Sequence, residues 1–179
     1  MKAILFFLFI IQVAVAQTVV STKMGNVNFT SNAPLESIKA ATNSLSAAFK
    51  LQERVFAFSI PINSFQGFNS SLQKEHFNDN YMESSKFPHG TFKGKIIEEV
   101  DLTKNGTYPV RAKGSLMIHG VAKERIIKAN VTVNNGVLTI TSAFEVPLVD
   151  HNVAVPKLVF QKIAEIIKIN IKATLQKAG

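Results

Sequence analysis

Near its C-terminus the chain runs Ile167-Lys168-Ile169-Asn170-Ile171-Lys172-Ala173-Thr174-Leu175-Gln176, an apolar residue at every second position and a polar one between. A period of two belongs to a strand, because successive side chains leave the backbone on opposite faces. One dry face and one wet face describe an antiparallel sheet packed on one side only. The alternation recurs upstream. Phe56, Phe58, Ile60 and Ile62 share a face opposite Ala57 and Ser59, and Ile127, Ala129, Val131 and Val133 alternate with Lys128, Asn130 and Thr132. Leu138 and Ile140 stand against Thr139 and Thr141, while Gly114, Leu116 and Ile118 make another small or apolar face.

Pattern and turn chemistry place strands near 18–23, 26–31, 36–43, 45–51, 54–62, 90–102, 107–119, 123–133, 137–147 and 164–176, some of the early pieces joining into single bent strands. Asn105-Gly106 and Asn135-Gly136 read as type I′ hairpin turns, whose two central positions both need positive φ. The polar stretch Ser70 to Tyr81 spaces Leu72, His76 and Phe77 as one short helix would, and Pro156–Phe160 reads as a second brief helical turn.

With 179 residues, 46% hydrophobic and 18% charged, the chain can bury one real core, and no repeat or low-complexity linker divides it. It contains no Cys, which removes disulfides, thiolate metal sites and Cys nucleophiles. The net charge of +8 is spread along the chain, so nucleic acid is not an expected partner. The four His show no i,i+2 or i,i+4 spacing, so no metal site is expected.

The first residues read as an address. Met1-Lys2 is basic, Ala3 to Ile11 is almost unbroken apolar sequence, and Val13-Ala14-Val15-Ala16 supplies a small-x-small end. The run falls short of the roughly 20 apolar residues of a membrane-spanning helix. Residues 1–16 are therefore expected to be a cleaved signal peptide and 17–179 the mature domain, periplasmic or secreted. With no Cys to acylate, a lipoprotein is not expected.

Long strands joined by hairpins leave two all-β architectures, a sandwich or a single closed barrel. A barrel of about eight strands has room for packed side chains or one small ligand. Periodicity does not choose between them.

Two segments carry a resemblance. Lys74-Glu75-His76-Phe77 with Tyr81-Met82-Glu83-Ser84-Ser85-Lys86-Phe87-Pro88-His89-Gly90-Thr91-Phe92 resembles the central signature of the YceI-like family of exported lipid-binding proteins. Gly114-Ser115-Leu116-Met117-Ile118-His119-Gly120-Val121 looks like that family's second signature, and Asp150 to Leu175 like its closing strand. The likeness runs in order along nearly all of 17–179; the family often has Asp at the place of Glu83 and Thr at that of Ala122. The resemblance implies an extended antiparallel β-barrel of lipocalin-like shape with an elongated apolar cavity. It also implies a long isoprenoid or similar amphiphile as ligand, carried or sequestered with no cofactor.

On that footing Phe56, Phe58, Ile60, Leu116, Ile118, Ile140 and Phe144 would line the cavity. Phe49, Phe65, Phe68, Phe77, Phe87 and Phe92 would gather round the short helix as a lid or mouth. His76 and His119 sit beside apolar neighbours, where a buried imidazole must find a partner, either a lipid head group or a tie within the barrel. His89 and His151 read as surface or turn residues. The Lys168/Lys172 row and Lys123-Glu124-Arg125 read as a solvated face able to touch an anionic membrane transiently, at about 1 kcal/mol per well-placed cation. An exposed edge at 18–31 would permit a homodimer.

Other functions fit less well. The chain has no nucleophile elbow, paired-carboxylate motif or phosphate loop, so an enzyme using His76 or His119 on a prenyl lipid is the lesser alternative. A non-catalytic structural barrel with a filled core shares every sequence feature except the cavity.

Overall fold

Eight antiparallel strands follow one another around a closed barrel, and the last pairs with the first to seal it. The computed structural model describes residues 18–177, so the leader expected at 1–16 lies outside them. The strands are β1 (Val19–Asn32), β2 (Ser37–Lys50), β3 (Val55–Pro61), β4 (His89–Ile96), β5 (Gly106–Ile118), β6 (Val121–Asn134), β7 (Val137–Pro147) and β8 (Ile166–Lys177). Between β3 and β4 lies helix α1 (Ser71–His76), continued by a π-helical turn at Phe77–Tyr81, in the place expected for the short helix. A 3₁₀ turn at Lys157–Val159 occupies the second expected place.

The early pieces merge as expected. Segments 18–23 and 26–31 are one strand, β1, whose register against β2 shifts on either side of Gly25. Leu45 packs there, and a Cβ on Gly25 would come within 2.9 Å of its side chain. Segments 36–43 and 45–51 are both β2. Closure removes the edge expected at 18–31, because β1 is paired with β2 on one side and β8 on the other. A dimer built on that edge is excluded.

One strand end and two turns differ from the sequence reading. The strand expected to reach residue 102 stops at Ile96, and the chain loops back so that Leu102 is buried. Asn105-Gly106 is not a type I′ turn, since Gly106 opens β5 with φ 154° and Asn105 lacks positive φ. Instead, Oδ1 of Asn105 accepts from the backbone N–H of Asn135, 2.8 Å away, at the neighbouring Asn135-Gly136 turn. A two-residue hairpin turn with both φ positive sits at His119-Gly120, 50° and 72°, joining Ile118 to its partner Val121.

Two ladders are short, and they lie opposite each other around the barrel. β2 pairs with β3 only over Ser46–Lys50, and β6 pairs with β7 only over Asn130–Asn134. Both ladders lie beside the 51–54 and 135–136 turns, at one end. Towards the other end both pairs of strands splay, and the wall widens on two sides. Ile62–Gln66 fills the first gap through reciprocal backbone bonds between Ala41 and Gln66. Side chains bridge the second: Ser142 Oγ donates to the carbonyl of Lys128 at 2.7 Å, and Arg125 to that of Glu145 at 2.7 Å. The narrow end is packed solid by Val20, Leu51, Leu102, Val133, Leu138 and Leu175. The wide end is hollow.

Candidate functional site

The hollow is a cavity of about 560 Å³ that opens among the 33–36 turn, α1 and the 148–165 connection. Its wall is made by the inward halves of the alternating strands, so the pattern that forms the sheet also makes the lining apolar. Phe56, Phe58 and Ile60 from β3, Phe92 from β4, Leu116 and Ile118 from β5, Ile140 and Phe144 from β7, and Phe77 beside α1 all border it.

Aromatic packing holds α1 over the opening. Phe29 on β1 stacks on Phe77 at 5.4 Å and 20°, and meets Phe65 at 5.2 Å, while Phe68 lies 5.1 Å from Phe77. Such pairs contribute about 0.5–1.5 kcal/mol beyond their buried area. Ser70 caps the helix, accepting from the Gln73 N–H at 3.1 Å, and the Gln73 amide donates to Glu36 at 2.9 Å. The expected ring of six Phe is thus divided. Phe65, Phe68 and Phe77 join Phe29 at the mouth, while Phe92 packs on Phe56 at 5.0 Å deeper in the wall and Phe49 lies near the solid end. Phe87 leaves the cavity and meets the His119 ring edge-on at 4.7 Å.

The histidines separate. His76 lies on the exposed face of α1 and borders the mouth, so it is not the buried imidazole expected, and solvent can satisfy it. His119 stands outside the cavity: Nε2 lies 2.6 Å from Glu83 Oε2 and Nδ1 3.2 Å from the His151 carbonyl oxygen. His89 is exposed as expected. His151 is not a surface residue. The 3₁₀ turn Leu148–His151, closed by Asn152 at φ 56°, carries its ring fully into the interior, where Nδ1 donates to the Val121 carbonyl at 3.0 Å. Nε2 is buried with no partner, and burial pushes the imidazole below its ordinary pKa.

Several lining residues escaped the sequence reading. Phe29 was legible, since Val27, Phe29 and Ser31 alternate on β1 and all border the cavity. Glu36, Gln73, Tyr81, Lys162 and Ile163 reach the mouth from loops and helix, where no period marks them. Burial raises the pKa of Tyr81, so its phenol stays a neutral donor at the opening. Among the described residues no cluster of three His, Asp or Glu could hold a metal ion.

A sealed antiparallel barrel, solid at one end and open into an apolar hollow at the other, defines a lipocalin-like barrel. The sequence matches the YceI-like domain over residues 12–175, and the protein belongs to that family. No curated protein matches it in sequence. A polyisoprenoid binding domain from Saccharophagus degradans, implicated in plant cell wall breakdown, superposes with a TM-score of 0.76 at 14% identity, covering 91% of this chain and 100% of that one. BcnA of Burkholderia cenocepacia gives 0.68 at 17% identity over 86% and 96%. The Campylobacter jejuni YceI protein gives 0.60 at 16% over 99% and 94%. At these identities the likeness is one of fold.

Proposed function

We propose that this barrel is a non-catalytic carrier of one long-chain amphiphile, an isoprenoid or similar lipid, with the chain in the hollow and the polar end at the mouth. The observation that carries the reading is the apolar cavity of about 560 Å³ opening among polar side chains at one end. An apolar chain there leaves water at about 0.8 kcal/mol per methylene, which needs no specific contact along the wall. Glu36, Gln73, His76, Tyr81 and Lys162 supply donors and acceptors where a head group would emerge. The S. degradans relative, described as a polyisoprenoid binding domain, supports the same ligand class. Phe56, Phe58, Ile60, Phe77, Phe92, Leu116, Ile118, Ile140 and Phe144 are the proposed lipid contacts. His76 is the head-group neighbour and His119 an internal tie.

The reading includes export, with residues 1–16 as a cleaved leader and the barrel in the periplasm or outside the cell. It also includes contact with a membrane, where such a ligand resides. The face proposed for that contact is the rim of the mouth, because Leu35, Leu72, Leu158 and Phe160 are exposed there. A filled structural barrel describes only the narrow half.

Native mass spectrometry of the mature protein from its own envelope, before and after solvent extraction, tests the reading. One long-chain species per barrel, lost on extraction and regained on mixing, is expected. An apo mass that takes up neither prenyl nor acyl lipids would overturn it.

A further inference from the structure

We propose that Glu36 reads the head group at the mouth, and that it selects an amphiphile whose polar end donates hydrogen bonds, an alcohol or an ammonium, over one that ends in phosphate. The inference rests on the carrier reading and narrows its ligand. Glu36 stands in the turn between β1 and β2, half-buried, and borders the cavity where it opens. Oε1 of its carboxylate accepts from two side-chain amides of the lid segment, Gln73 Nε2 at 2.9 Å and Asn69 Nδ2 at 3.2 Å. Those amides are themselves held. Gln73 Oε1 accepts from the Asn69 backbone N–H at 3.0 Å, and Asn69 Nδ2 also donates to the Ser37 carbonyl at 3.2 Å. The bonds among Glu36, Asn69 and Gln73 close a ring, so the carboxylate is fixed before any ligand arrives.

Both amides are spent on one oxygen. Oε2 takes part in no hydrogen bond among the described residues. No Lys, Arg or His among them lies within ion-pair distance of Glu36 either. A half-buried carboxylate therefore keeps free lone pairs and an unpaired charge beside an apolar hollow. A ligand O–H or N–H can take the place of water on that oxygen in a charge-assisted bond. A phosphate brings only acceptors and a like charge.

The other polar groups at the mouth do not fix a head group in this way. Lys162 borders the cavity but is exposed. A lysine so placed lays its stem on the apolar rim and leaves its ammonium in water. His76 is likewise exposed, and Ser70 is committed to capping α1.

The test uses ligands that share one four-unit prenyl tail: the amine, the alcohol, its methyl ether and the monophosphate. Equal tails cancel, so equimolar competition at neutral pH, read by native mass spectrometry, reports the head alone. The amine should outcompete the monophosphate at least tenfold, because a charge-assisted bond replaces a like-charge contact. The alcohol should outcompete the ether at least threefold. Glu36→Gln keeps an oxygen for Gln73 and Asn69, so the lid stays tied, and it should cut the amine-over-monophosphate ratio at least tenfold. Binding of the ether should change less than about twofold, and Lys162→Gln should leave the order of the four unchanged. A monophosphate bound as tightly as the amine, or a ratio that moves with Lys162→Gln and not with Glu36→Gln, overturns the assignment and leaves carriage intact. Failure of all four to bind overturns the carrier reading, and the assignment with it.

Discussion

Nε2 of His119 donates to Oε2 of Glu83 across 2.6 Å, tying the turn between β5 and β6 to the segment that follows the helical lid. The other ring nitrogen faces the His151 carbonyl oxygen at 3.2 Å. Acceptors therefore face both nitrogens. This pair joins three segments that no strand ladder connects. Glu83 is 42% exposed, so the charge part of the contact is modest. His119→Ala, which strands the His151 carbonyl, should lower unfolding free energy by about 1–3 kcal/mol, and Glu83→Gln, which keeps an acceptor, by less. Urea denaturation checks both, and a His119→Ala midpoint equal to that of the parent would remove the tie from the account.

His151 makes the fold sensitive to acid. Burial lowers its folded pKa from the ordinary 6.5, helped by Arg125 and Lys123 and opposed by the Val121 carbonyl and Asp150. Between the folded value and 6.5 the unfolded chain holds a proton that the folded one lacks. Stability therefore falls as pH drops through that window and is untouched by this group above it. His151→Asn retains a donor for Val121 without a titrating ring. It should be less stable near neutrality yet show a flatter loss between pH 7 and 5. Parallel curves for the two proteins in thermal melts would show that His151 does not carry the acid sensitivity.

Gly94 and Gly114 face each other across β4 and β5 where the backbones approach closely. A Cβ on Gly94 would collide with the Lys113 carbonyl and come within 2.6 Å of the Gly114 Cα. Neither atom can move without breaking the ladder. Gly94→Ala should cost about 3 kcal/mol through this overpacking. Gly136→Ala meets no neighbour and should cost only about 1–2 kcal/mol for its left-handed φ. Equal midpoints for the two variants would show that the strands part freely there.

The period of Ile167 to Leu175 was enough to assign β8 and its wet face, and Asn135-Gly136 its kind of turn. The same period could not show where the barrel is hollow. Ile140 and Leu138 share one face of β7, yet one borders the cavity and the other is solid core. The difference comes from the two ladders that stop short and from Leu102, which a loop folds beneath the barrel. Both depend on pairings between distant segments. His151 sits in a turn, as its sequence allowed, but its burial was not legible for the same reason: its partner, the Val121 carbonyl, lies 30 residues away.

The rim of the mouth carries the remaining prediction. Leu35 is 67% exposed, Leu158 97% and Phe160 58%. The Leu35 N–H bonds the Gln161 carbonyl at 2.8 Å, which holds the two loops together as one apolar edge. Val159 and Ile163 of the same connection border the cavity, so a bilayer against this edge would meet the opening itself. Burying two large side chains in lipid contributes about 1.5–3 kcal/mol each. The double substitution Leu158→Asp, Phe160→Asp should therefore reduce co-sedimentation with phosphatidylcholine vesicles at least tenfold. Prenol binding in solution should stay within about twofold, because both side chains point away from the hollow's wall. The Lys168 and Lys172 row lies on the wet face of β8, where a cation adds about 1 kcal/mol only on anionic lipid. Lys168→Glu with Lys172→Glu should accordingly spare binding to neutral vesicles. If those lysine changes abolish it and the rim changes do not, the membrane meets the barrel's side instead of its mouth.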